Sequence, residues 1–210
     1  MGKRIDATRE RIWFTGDTHF HHIGILGHTN RPFADVGEMN AAMIKNWNDR
    51  VGPDDTIFHL GDFLLYRNKL KDWSDLVSQL NGKIILIRGN HDHANAPNTK
   101  VWDLFHECHD YLDLSIREVE GGGYTRRVVL CHYPITTWNG RWQGSFMLHG
   151  HSHGGIPTEA VHCGACNEVV FPNCRRVDVG VDCWGYAPVA YETLRDYMLT
   201  IPFGQDKTTA

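Results

Sequence analysis

The sequence predicts an α/β layered domain with a central sheet. Three observations carry that prediction: short β-branched apolar runs that recur along the chain, helical stripes of apolar residues between them, and polar clusters, mostly glycine-led, where the runs end. One domain over 1–210 accounts for the 210 residues, with no internal repeat, low-complexity tract or linker to divide it.

The first run, Arg11 to Thr15 (RIWFT), reads as a buried strand. Glu38 to Arg50 follows as a helix, because Met39, Met43, Ile44, Trp47 and then Val51 fall on one stripe able to cover a sheet. Thr56 to Leu60 (TIFHL) is the second strand, and His59 on it reads as a satisfied core histidine. Lys69 to Leu80 repeats the helical stripe through Leu70, Trp73, Leu76, Val77 and Leu80, with Gly82 as its C-terminal cap. Lys83 to Ile87 (KIILI) is the third strand, and His106 and His109 are expected on a short helix beyond it. Gly121 to Gly123 marks a tight turn before the strands Arg127 to Cys131 (RVVLC), Ser145 to Leu148 (SFML) and Val177 to Val181 (VDVGV). Residues 204–210 are polar and expected to fray.

Composition narrows the function classes. Hydrophobic residues at 41% and charged residues at 22% describe a globular chain, and no apolar run approaches the roughly 18 residues a spanning helix needs, so no membrane partner is expected. A formal charge of −4 leaves no basic surplus for a wide nucleic-acid footprint, so nucleic acid is not the favoured partner. The opening stretch MGKRIDATRERIWF has no continuous apolar region or small-residue cleavage site, so no secretory signal is read and a cytoplasmic setting is expected. The oligomeric state is not legible. Histidine is the unusual count: 14, against 9 Phe and 7 each of Tyr and Trp. Imidazole is the commonest metal ligand and the proton carrier of neutral pH.

The histidines fall where the strands end. Gly16-Asp17-Thr18-His19 follows the first strand, Gly61-Asp62 the second, Gly89-Asn90-His91-Asp92 the third, His132 the fourth and Gly150-His151-Ser152-His153 the fifth. Ligand crevices in α/β sheets lie outside the carboxyl ends of the strands, so the five clusters are expected to converge. Asp17, Asp62, Asn90, His19, His132, His151 and His153 are too many donors for one ion but suit two divalent ions that share a carboxylate. Oxygen and imidazole donors without thiolate point to Mn²⁺, Fe²⁺ or Zn²⁺, with Mn²⁺ favoured.

The ordered blocks D-T-H, G-D, G-N-H-D, an isolated His and G-H-S-H, with DTHF, RPF, EMN, WN and HLGDF between Asp17 and Phe63, resemble the calcineurin-like metallophosphoesterase superfamily, and more closely its short stand-alone bacterial and bacteriophage members. The resemblance implies a four-layer α-β-β-α sandwich of two mixed sheets flanked by helices. It implies Asp17, His19, Asp62 and His153 on one metal and Asp62, Asn90, His132 and His151 on the other, with Asp62 bridging. It implies a water made nucleophilic between two cations, attacking a phosphodiester or phosphomonoester in line, with His91 as general acid. Serine/threonine protein phosphatases of this family carry G-D-x-x-D-R-G and GNHE. Here GDFLLYR puts Leu65 in the second Asp position and GNHD replaces GNHE, which counts against a phosphoprotein substrate. Asp92 is the substitute candidate for steering an imidazole.

A small nucleotide-like phosphoester is therefore the expected substrate, with a DNA or RNA nuclease as the alternative and a non-catalytic protein-binding scaffold of the same fold further behind. After His151-Ser-His153 the metallo-β-lactamase pattern H-x-H-x-D-H fails at Gly154 and Gly155, and no G-x-S-x-G elbow appears. His22 and Arg31 either contact substrate phosphate or belong to a surface loop. Arg141 with Trp138 and Trp142 either forms a stacking and phosphate-binding wall or packs the core. Cys163, Cys166, Cys174 and Cys183 either hold a structural zinc in an insertion at about 154–175 or are free thiols.

Overall fold

The structure, a computed structural model, describes residues 2–65, 69–118, 123–156, 161–162, 169–171 and 175–201. Its strands in chain order are β1 (Lys3–Asp6), β2 (Ile12–Thr15), β3 (Thr56–His59), β4 (Lys83–Ile87), β5 (Glu107–His109), β6 (Tyr111–Arg117), β7 (Thr125–Cys131), β8 (Phe146–His149), β9 (Val161–His162), β10 (Val169–Phe171), β11 (Arg176–Asp178) and β12 (Val189–Ala190). The helices are α1 (Ile25–His28), α2 (Val36–Asn48), α3 (Leu70–Val77), α4 (Asn90–Asn95) and α5 (Tyr191–Thr200).

Two five-stranded mixed sheets pack face to face, ordered β12-β2-β3-β4-β5 and β1-β6-β7-β8-β11. In the first, β2 to β5 are parallel and only β12 is antiparallel. In the second, β7, β8 and β11 run parallel while β6 and β7 form an antiparallel hairpin. The four-residue β3 is buried on both faces, as a parallel strand covered on both sides must be. Phe58, Ile85 and Ile87 face Leu114, Val128, Leu130, Phe146 and Leu148 of the other sheet, and Phe14 stacks on Phe58 at 5.3 Å. The alternate residues Ile57, Ile84 and Leu86 pack instead against Met39, Met43, Trp47, Trp73 and Leu76 of the two covering helices. On the outer side of the second sheet, Trp138 packs on Val129 and Met147 and donates its indole N–H to Ser145 Oγ at 3.0 Å.

α2 begins where a cap is available: Asp35 accepts the N–H of Glu38 at 2.9 Å, and Glu38 reaches back to the N–H of Ala34 at 2.6 Å. Gly82 is not the cap of α3, which ends at Val77. At φ +93° it turns the chain into β4, and a Cβ there would meet Val51 Cγ1 at 2.8 Å. His106 and His109 are not helical. His106 N–H donates to Ile84 O at 2.8 Å, and His109 ends the edge strand β5, where pairing with β4 overrides local preference. Cys163, Cys166, Cys174 and residues 204–210 lie outside the described residues. Gly123, at φ +85°, sits in the β6–β7 connection, which closes through Glu118 N–H to Tyr124 O at 2.9 Å; Gly121 is outside the described residues.

Replacing the buried Ile85 by Ala is expected to cost about 2–5 kcal/mol in urea unfolding. Asp35→Ala, which removes a cap, should cost about 1 kcal/mol. The exposed Leu199→Ala should stay within about 0.5 kcal/mol.

Candidate metal centre

The polar clusters after β2, β3 and β4 of one sheet and after β7 and β8 of the other meet at one edge of the sandwich. Asp17, His19 and His153 form one group in which a ligand atom of each lies within 4.8 Å of the others. Asp62, His132 and His151 form a second on the same criterion. Asp62 joins them, because its Oδ2 stands 3.6 Å from His19 Nε2 and 3.6 Å from His132 Nε2. Asn90 Oδ1 lies 3.1 Å from His132 Nε2. The adjoining cavity, about 350 Å³, is lined by His22, His28 and His91 together with His19, Asp62, His151 and His153.

Local backbone explains the crowding. Asp17, His19, Asp62, His151 and His153 all adopt left-handed φ between +46° and +67°, a region costing a non-glycine residue about 1–3 kcal/mol unless its surroundings enforce it. Enforcement is visible in the glycines. A Cβ on Gly89 would sit 2.3 Å from Asp62 Oδ1, and one on Gly150 would sit 2.6 Å from Asp17 Oδ2. Only hydrogen fits between strand end and carboxylate.

The donor chemistry fits divalent ions. His132 Nδ1 lies 2.7 Å from Leu60 O and His153 Nδ1 lies 2.7 Å from Asp182 Oδ2. Both therefore carry their proton on Nδ1 and leave Nε2 with a free lone pair. His19 Nε2 is buried and makes no hydrogen bond, a cost that a bound cation would relieve. Burial, then the neighbouring His153 imidazole and the Arg31 guanidinium, push the His19 imidazole well down, so it is neutral. Burial, then the neighbouring carboxylate of Asp178, pushes Asp17 well up, although His151 N–H donates to it at 2.9 Å. Burial is the leading cause of both shifts, because withdrawal from water disfavours an ionised carboxylate and an imidazolium alike.

Three expected roles change on inspection. Asp92 does not steer an imidazole. Its buried carboxylate accepts the backbone N–H groups of Asp62, Phe63 and Gly89, each at 2.8 Å, and so clamps the loop that carries Asp62. Burial pushes it up to about 7 despite those three bonds. Arg31 does not face the cavity. Its Nε and Nη2 form a fork on Asp182 at 2.9 and 2.8 Å, while Nη1 donates to Thr18 O at 2.8 Å and Nη2 to Asp17 O at 2.7 Å. Arg141 is not among the residues lining the cavity. It lies over Trp142 at 4.3 Å and donates to Thr136 O, while Trp138 is core. His22, by contrast, lines the cavity, with Nδ1 3.3 Å from His19 Nδ1. Cys183 is an exposed free thiol, and burial of its sulfur pushes its pKa up to about 12.

Sequence reasoning missed Asp178 and Asp182. Asp178 Oδ2 accepts Ser152 Oγ–H at 2.7 Å and Gly154 N–H at 2.9 Å, which fixes the loop bearing His151 and His153. Burial alone would raise Asp182, but His153 and Arg31 outweigh it and hold the carboxyl at about 2. Their signal was the paired Asp of VDVGVD, which reads as strand alone. His59 also does more than fill the core. Thr18 Oγ donates to Phe63 O at 2.9 Å, so His59 Nε2–H donates to Thr18 Oγ at 2.9 Å and holds the residue between two ligands.

Known proteins resemble this chain in sequence and in fold. A family model described as calcineurin-like phosphoesterase matches residues 10–162. An uncharacterised protein of Methanocaldococcus jannaschii is 35% identical over 186 residues, covering 88% of this chain and 89% of that protein. The gene 66 protein of Mycobacterium phage L5 is 29% identical over 196 residues, covering 82% of this chain and 87% of that one. A protein of unknown function from Aquifex aeolicus has the same fold, with a TM-score of 0.61 at 22% identity over 90% of this chain and 99% of its own.

Asp92→Asn places an amide N–H₂ among three N–H donors. Denaturation of the metal-free protein should show a loss of about 1–3 kcal/mol per donor left unsatisfied.

Proposed function

The chain belongs to the calcineurin-like phosphoesterase family and is a metal-dependent phosphoric ester hydrolase, and we propose that it cleaves a small nucleotide-like phosphoester at a centre of two divalent ions, with manganese favoured. The observation that carries this reading is Asp62 Oδ2, equidistant at 3.6 Å from one imidazole of each donor group, as a shared ligand needs to be. Asp17, His19, Asp62 and His153 hold one ion; Asp62, Asn90, His132 and His151 hold the other. When bound, the ions supply positive charge for the phosphoryl oxygens and acidify water to hydroxide near neutral pH.

The protein's own groups do the rest. His91 N–H donates to Asp62 Oδ1 at 2.9 Å and its carbonyl accepts Asn95 Nδ2–H at 2.7 Å, so its backbone is anchored on both sides. Its imidazole is 40% exposed at the cavity rim, with Nε2 3.9 Å from Asp62 Oδ2. A proton held there reaches both solvent and the centre, which suits protonation of a leaving oxygen. His22 faces the same cavity and is a candidate contact for phosphate oxygens. Tyr133, 45% exposed with its ring 4.8 Å from that of His151, offers an aromatic face for a base.

Wild-type protein should hydrolyse bis-p-nitrophenyl phosphate only with added Mn²⁺ and lose that turnover to a chelator. Asp62→Asn should abolish it, and His91→Ala should lower kcat by about 10²- to 10⁴-fold with Mn²⁺ binding intact. Absence of metal-stimulated turnover in the wild type would sink the reading. Cleavage of oligonucleotides that exceeds that of nucleotides and falls steeply with salt would move it to a nuclease.

A further inference from the structure

We infer that Asp182, acting with Arg31, is a positioning residue for one metal subsite and not for the other; this rests on the dinuclear reading above. The C-terminal segment comes to the centre because Val181 N–H donates to Gly16 O at 3.0 Å, laying the chain after β11 beside the Asp17 loop. There Asp182 bonds in two directions. Its Oδ2 accepts His153 Nδ1–H at 2.7 Å, which aims the imidazole and fixes its tautomer. Both its oxygens accept the Arg31 fork, and Arg31 in turn holds the carbonyls of Asp17 and Thr18 at 2.7 and 2.8 Å. One carboxylate thereby ties together the loops of Asp17, His19 and His153, the whole first donor group.

Those loops need such a tie. Asp17, His19 and His153 sit at φ +51°, +49° and +46°, conformations that persist only when neighbours over-determine them. Among the described residues neither Asp182 nor Arg31 bonds to a member of the second group, although His151 shares its loop with His153 and donates its N–H to Asp17 at 2.9 Å. His132 is held by the carbonyl of Leu60, and the Asp62 loop is held by Asp92. Asp182 lies beyond residues 10–162, the stretch that carries the family match, and 151 residues from Arg31 in sequence.

The test is Mn²⁺ titration calorimetry with electron paramagnetic resonance on the full chain, comparing wild type, Asp182→Asn and Arg31→Lys, alongside unfolding of the metal-free proteins. Wild type should bind two equivalents and give the spectrum of a coupled pair. Each variant should keep one equivalent at wild-type affinity and bind the other about 10- to 100-fold more weakly, with the six-line spectrum of an isolated ion. Two equivalents at unchanged affinity in both variants, or equal weakening of both, would overturn the inference and leave Asp182 a stability contact. Fewer than two equivalents in wild type would instead overturn the dinuclear reading and this inference with it. If Asp182→Asn does not fold, Arg31→Lys, which keeps the charge but loses the fork, decides the question.

Discussion

Two carboxylates withdrawn from water govern this structure. Asp17 is 0% exposed and Asp62 is 2% exposed, and among the described residues neither carboxylate forms an ion pair with a lysine or arginine. Asp17 is met by the backbone N–H of His151 and Asp62 by that of His91. Placing an ionised carboxylate in such surroundings is costly unless charge arrives from elsewhere, and burial pushes the His19 and His132 imidazoles down, so that they suit accepting a cation rather than being one. The left-handed loops and the glycines without room for a Cβ follow from packing strand ends against these two groups.

The sandwich solves the delivery problem. Parallel strands in both sheets run toward the same edge, so five short loops arrive there without any long excursion. Interleaved aromatic and aliphatic side chains between the sheets and beneath the helices make that edge rigid. Rigidity alone does not orient ligands. Orientation comes from a layer of groups behind them: Leu60 O on His132, Asp92 on the Asp62 loop, Asp178 on the His151–His153 loop and Asp182 on His153.

Much of the fold was legible, and some of it went unread. Continuous apolar runs marked β2, β3, β4, β7 and β8, and apolar spacing marked α2 and α3, with β4 matched at both ends and the other ends displaced by at most three residues. β6 carried the clean alternation of Leu112, Leu114 and Ile116 with Asp113, Ser115 and Arg117. α5 carried Tyr191, Leu194 and Met198 on one face. Both signals were present but lay outside the chemistry-bearing clusters. β1 and β5 were a different matter. KRID and ECH have no strand signature of their own and are strands because β6 and β4 offer them hydrogen bonds.

What the sequence determined by itself was the reaction class, because metal chemistry needs particular side chains in order after particular strand ends, and that order survives without coordinates. What only the tertiary structure decided was who supports whom. Arg31 resembled a phosphate contact and is a buried strut; Asp92 resembled an imidazole partner and is a backbone clamp; Asp182 resembled part of a strand and holds a ligand. The physical reason is that donor identity is written in residue type, whereas the hydrogen-bond partner of a long or acidic side chain depends on which segment packs against it. Here that segment lies 30 residues away for Asp92 and 151 residues away for Arg31.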